Sequence, residues 1–177
     1  MSAVTLTRKQ TLSLTLPDPG VITPAMRKAA NTEWANYRHA HGFKRVSTPF
    51  GTSPTDNYKL AKGKSLIFGL SLAPSRLSGI NVCMFSTPIC VDCCVAHCGN
   101  GNYPAVIRAR IAKTRFLFEQ PQHAAVLLAD FLDNAIRKGR RLRKKVGMRL
   151  TTFADLDWQS VAPWLFVRYA TVRFYDY

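Results

Sequence analysis

Two apolar runs of strand length, SLIFGLSLAP at 65–74 and VGMRLTTF at 146–153, stand too far apart in the chain to form a hairpin. Their spacing constrains the fold more than any other feature. Parallel strands need a crossover of a dozen residues or more, usually helical, and the intervening chain reads as helix twice. YPAVIRARIAKTRFLFEQ (103–120) and PQHAAVLLADFLDNAIRKG (121–139) each carry a proline, Pro104 or Pro121, where a first helical turn tolerates one. Upstream, TLSLTLP (11–17) alternates Thr or Ser with Leu, the period of a half-buried strand. TPAMRKAANTEWANYRHAHG (23–42) reads as a helix capped by Thr23 and stopped by Gly42. Residues 43–63 are rich in turn formers and read as a connection. Downstream lie a short helix near 157–167 and a last strand, ATVRFYDY (170–177).

This alternation predicts an α/β protein. The expected form is an open parallel or mixed sheet, or an incomplete (β/α) barrel, with a cysteine-rich loop. The 177 residues suit one domain. Residues 1–56 read as an arm of strand, helix and loop, and 57–177 as the main α/β domain, with arm and domain packed as a single unit.

In such folds the loops after the carboxyl ends of strands carry ligands and chemistry. NVCMFSTPICVDCCVAHCGNG (81–101) follows the first long strand and holds all five cysteines within 16 positions. No apolar run approaches the ~20 residues of a membrane span, and the N-terminus lacks the pattern of a signal peptide. The expectation is a reducing cytoplasm, where disulfides are rare, and an odd number of thiols cannot fully pair. Thiols this close would also close only tiny loops. Metal ligation, in contrast, needs several thiolates at one point. The spacing is C-x6-C-x2-C-C-x3-C. Cys90 and Cys93 form a C-x-x-C pair, and Cys94 and Cys98 a second pair around His97. Zinc or an iron–sulfur cluster is the expected cofactor, with His39, His41 and His123 as more distant recruits. The bland alternative is that free cysteines pack as small hydrophobes. Asp155 and Asp157 follow the 146–153 strand, and Asp176 ends the last one, so all should share the cysteine rim. Asp155 and Asp176 are weak catalytic candidates, whereas helix capping is the favoured reading of Asp157.

Charge is the other strong signal. Twenty-five Lys and Arg oppose ten Asp and Glu, giving +15 and a pI near 10.1. In RKGRRLRKK (137–145) seven of nine residues are basic: Arg137, Lys138, Arg140, Arg141, Arg143, Lys144 and Lys145. Arg108, Arg110, Lys113 and Arg115 add a basic face to the 103–120 helix, opposite Val106, Ile107, Ile111 and Phe118. Clustering on this scale points beyond a solvated surface to a polyanion, with nucleic acid, DNA or RNA, ahead of membrane. Tyr103, Phe116, Phe118 and Trp158 could stack on bases, although aromatics at helical spacing usually belong to a core.

The stretch NYKLAKGKSLIFGLSLAPSRLSGINVCMFSTPICVDCCVAHCGNGNYPAVIRARIAKTRFLFEQP resembles the phage family named for mycobacteriophage gene product 88. The resemblance rests on a GLSLAP-like strand, a G-x-N-V-C segment, a T-P-x-C-x-x-x-C segment and an A-R-x-x-K-T helix. MRLTTFADLDW and FYDY resemble later segments, so it spans about residues 57–177. It implies phage origin, action in a host bacterial cytoplasm, and a C-terminally shortened member. Cys83, Cys90 and Cys94 match the family's typical cysteines and are the leading metal ligands; Cys93 and Cys98 look like additions to the family pattern and, with His97, are further candidates by position. Met84 replaces a usual proline, and Ala154 a common serine. The family supplies no mechanism.

The leading functional expectation is a phage nucleic-acid-binding protein with a cysteine-ligated metal loop. No phosphate-loop, H-E-x-x-H or G-x-S-x-G motif is present, so enzyme status stays open. One alternative is an iron–sulfur enzyme, radical-SAM-like or nucleic-acid-modifying, or a remnant of one; the usual C-x3-C-x2-C spacing fails because position 97 is His. A second is a small phage protein that engages a host factor.

Overall fold

The computed structural model describes residues 14–43, 50 and 63–176. Its centre is a three-stranded parallel sheet of β1 (Ser65–Gly69), β2 (Lys145–Arg149) and β3 (Arg173–Phe174), in that spatial order. Ser65 pairs with Lys145 and Gly69 with Arg149; Gly147 pairs with Arg173. β2 buries Val146, Gly147 and Met148 in succession, as a strand covered on both faces must. All three strands run the same way, so the chain leaves each at one shared edge. Among the described residues the sheet is open, with no barrel closure, and no helix is long and apolar enough to cross a membrane.

Three long helices pack into the core. α1 (Pro24–Ala40) starts where the Thr23 hydroxyl accepts the Met26 N–H, and it buries Ala30, Trp34 and Tyr37 on one stripe. A short α2 (Pro88–Asp92) and two 3₁₀ turns (Val95–His97 and Gly99–Asn102) form the cysteine segment. α3 (Pro104–Glu119) and α4 (Pro121–Leu142) complete the crossover to β2. Phe116 of α3 lies edge-on to Trp34 at 4.9 Å and to Tyr37 at 5.3 Å. After β2 come α5 (Trp158–Val161) and α6 (Trp164–Arg168).

Several boundaries differ from the expectations. α4 does not stop near Gly139 but runs on to Leu142. Gly139 instead marks a close approach: a Cβ there would lie 2.6 Å from Val146 Cγ2 and 2.9 Å from the Lys144 carbonyl. Its missing side chain lets the last turns of α4 sit directly on the start of β2. The left-handed Arg143 (φ 52) closes the helix. The single helix expected near 157–167 divides at Pro163, whose missing N–H breaks the ladder. The expected strands shorten to five, five and two residues as their ends turn into loops. Of the expected 11–17 strand, residues 11–13 lie outside the described residues. Leu14 and Leu16 keep their alternation and are buried. Leu16, however, is latched to the α5–α6 turn rather than to the sheet: its N–H donates to Val161 O (2.7 Å), and its carbonyl accepts Trp164 Nε1 (2.8 Å). The 43–63 connection falls almost wholly outside the described residues.

Candidate functional site

The shared carboxyl edge of the sheet is where the cysteine segment lands. Beyond β1 the chain turns at Pro74 and at Ser75, which has positive φ (49°). That bend aims the Ser75 N–H at the Cys83 sulfur, 3.1 Å away. The Cys83 thiol in turn donates to Phe153 O in the loop after β2, at 3.5 Å. Asp155 N–H donates to Val82 O (2.8 Å), a second stitch between the two loops. Thr87 caps α2 by accepting the Cys90 N–H at 3.2 Å. Cys83 and Cys94 are half-buried, while Cys90, Cys93 and Cys98 are exposed, as is His97.

Burial pushes the Cys83 thiol above its ordinary range. The Ser75 N–H opposes that, and negative charge on Asp155, Cys94 and Cys90 adds to it. Asp155, Cys94 and Cys90 thus each act on the Cys83 thiol. Burial, then the charge of Asp176, likewise raises the Asp155 carboxyl. Asp176 pairs with Arg149 (3.4 Å) and accepts the Thr151 hydroxyl. Asp157 caps α5, accepting N–H groups of Gln159 and Ser160, and its bond with the Ser160 hydroxyl holds its carboxyl below the usual range. Among the described residues, no three His, Cys, Asp or Glu side chains form a group that could hold a metal. A metal drawing on Cys83, Cys90 and Cys94 would thus require these side chains to come closer together.

The basic face expected on α3 is largely an interior face. Arg108 is exposed, but Arg110 and Lys113 are buried and Arg115 is half-buried. Arg110 Nη1 donates to Ala96 O in the cysteine segment (2.9 Å), and its guanidinium lies over the Phe153 ring at 4.3 Å. Thr114 continues this face, its hydroxyl accepting the Ala73 N–H at 2.8 Å. Arg115 Nε donates to Ser78 O at 2.8 Å. The reason for the difference is that the loops after β1 and β2 and the cysteine segment cover this side of α3. A nucleic-acid backbone cannot lie along it. Burial lowers the Arg110 pKa, with Cys94 opposing; burial and Arg110 push Lys113 down to about 8. Phe116 and Trp158 are also buried, which removes them as open stacking platforms. Tyr103 is exposed.

The basic stretch after residue 136 is different. Arg137, Arg140, Arg141, Arg143 and Lys145 are exposed, and Lys138 and Lys144 half-buried. Arg137 donates to the Asn134 side chain and Lys144 to Gly63 O (3.0 Å). Among the described residues none of the seven is in an ion pair; the paired arginines are Arg27, Arg149 and Arg168. A cleft of about 330 Å³ lies between Arg140, Arg143, Lys144 and Lys145, floored by Ile136 and Val146. This crown sits at the amino edge of β2. The length of β2, about 13 Å at strand rise, separates it from the cysteine rim.

Sequence reasoning missed a second cleft, of about 320 Å³, at the carboxyl edge. Trp158, Phe166, Phe174 and Tyr175 wall it, with Thr151 and Asp176 at hand. The family model described as gene product 88 matches residues 42–177. No curated protein and no solved structure matches the chain.

Proposed function

The chain belongs to the gene product 88 family, and from that premise we propose that it binds nucleic acid through the crown at the amino edge of β2 and carries a cysteine-ligated metal on the opposite rim. The observation that carries the first half is the crown itself. Seven cations cluster at one helix end with no carboxylate paired to them among the described residues. A surface that neutralised its own charge would not serve phosphates; this one leaves its charge available. Affinity should be salt-sensitive and largely independent of sequence. Titrating the protein with single- and double-stranded DNA and with RNA over a salt series tests this. No binding at low salt would refute it.

The metal half rests on the environment of Cys83. The Ser75 N–H aimed at its sulfur would stabilise a metal-held thiolate against the burial that otherwise raises this thiol. Cys83, Cys90 and Cys94 would hold zinc or an iron–sulfur cluster, and the metal would supply structural closure of the loop or an open coordination position. Anaerobic purification with elemental analysis discriminates: zinc favours the binding module, and iron with sulfide favours an enzyme. Metal-free protein refutes this half. The enzyme reading gains from Asp155 on the same rim, whose carboxyl is raised by burial and by the charge of Asp176.

A further inference from the structure

The stripe of α4 that lines the crown cleft continues back toward the start of the helix. Asp133, Ile136, Arg137, Arg140 and Arg143 recur at the three- and four-residue steps that bring helical side chains onto one face. Ile136, Arg140 and Arg143 line the crown cleft. Asp133, Ile136, Arg137 and Arg140 line a larger cleft of about 480 Å³, walled on its other sides by Arg27 of α1, by Arg168 and Tyr169 at the end of α6, and by Thr171. The two clefts share Ile136, Arg140 and Thr171, so they join into one groove along about 15 Å of helix. Arg137, Arg140 and Thr171 are exposed, and the groove is open to solvent along them.

Its rim is cationic. Among the described residues that line it, Asp133 is the sole carboxylate, and Arg168 answers it at 3.9 Å. Arg27 is held by Asp130 through Nε at 2.6 Å, while its side chain stays 39% exposed. A guanidinium has five N–H donors, so that pair orients Arg27 and leaves donors for a phosphate. The floor is apolar, made by Ile136, Val146 and the Tyr169 ring. We infer that this groove is a path for single-stranded nucleic acid, with phosphates on the arginine rim of both clefts, Arg27 included, and unpaired bases on the apolar floor. This path rests on the nucleic-acid function proposed above and narrows it. A duplex turns its phosphates outward and keeps its bases stacked between the strands, so it has nothing to set on that floor; a single strand has both. A lone phosphorylated small molecule would fill one cleft and leave the cations of the other unused.

The test uses the full chain with a deoxythymidine homopolymer, a duplex of the same length and inorganic polyphosphate as probes. The single strand should bind roughly tenfold more tightly than the duplex, and polyphosphate should compete less well than the strand. R27Q/D130N, which removes the ion pair and keeps the net charge, should lower the single-strand salt slope by about 0.7. Thr171→Glu sets a carboxylate where the two clefts meet and should weaken single-strand binding roughly tenfold. Thr171→Gln, of the same length without the charge, should bind like the parent. Both Thr171 variants alter an exposed side chain, so both should melt with the parent, and they carry the test if R27Q/D130N does not fold. Equal affinity for strand and duplex, polyphosphate competing as strongly as the strand, or T171E binding like T171Q would each overturn this path and leave the broader nucleic-acid function standing. So would an unchanged salt slope in folded R27Q/D130N. A parent that binds no nucleic acid at low salt removes both.

Discussion

Lys113→Met should make the protein more stable, and the gain should vanish as pH rises. Lys113 is 8% exposed, and burial, then Arg110, hold its pKa at about 8 against 10.5 in an open chain. Below pH 8 both folded and unfolded chains keep the proton, so the folded state carries the full cost of the buried charge. Between about pH 8 and 10.5 the unfolded chain binds the proton that the folded chain has released, so stability climbs with pH. The gap in pKa corresponds to about 3 kcal/mol. At pH 7 the methionine variant should therefore exceed the parent by about 2–3 kcal/mol, or about 5–10 °C in melting temperature. Near pH 10.5 the two should differ by less than about 1 kcal/mol, the residue of packing differences. Urea unfolding of both proteins under reductant, from pH 7 to 10.5, measures this. Cys83 also titrates high, but it is common to both proteins and cancels in the difference. A variant less stable than the parent at pH 7, or a gap that does not change with pH, would refute the reasoning.

Serine at Cys83, Cys90 or Cys94 should each lower bound metal, read by elemental analysis, and three variants with full metal and unchanged melting would sink the ligand assignment. R140Q/R141Q/R143Q should weaken DNA and RNA binding across sequences and reduce the salt slope by about 0.7–0.9 for each phosphate no longer neutralised, leaving thermal stability nearly intact; an unchanged slope removes the crown from the interface. Gly139→Ala should destabilise by about 1–3 kcal/mol through overpacking, because its Cβ would sit 2.6 Å from Val146 Cγ2. That outweighs the gain of about 1 kcal/mol from replacing a helical glycine, and equal or higher stability in denaturant would show that β2 yields.

Helix starts are the most legible feature of the sequence, because they depend on local chemistry. Thr23 and the prolines at 24, 104 and 121 sit where the helices begin. Parallel order follows from the length of chain between the strands, and it places Cys83, Asp155 and Asp176 on one edge. Features that depend on distant partners are not legible. Gly139 looks like a stop signal, yet it is the close approach of Val146 that calls for glycine there. The inward direction of Arg110 and Lys113 is hidden for a similar reason. α3 is covered on several sides, so the usual contrast between an apolar and a charged face is blurred. The clue lies in Thr114, a hydroxyl one turn from Arg110 that is satisfied by the loop after β1.

The two edges of β2 carry different chemistry, and the short strand between them has a consequence for how the protein can change. Side chains about 13 Å apart with no shared partner generally contribute independently to free energy. Lesions at the crown and at the cysteine rim should therefore combine additively, each edge keeping its own ligand preferences while the other is altered. A single strand thus acts as an insulator, letting one half of the protein vary without disturbing the other.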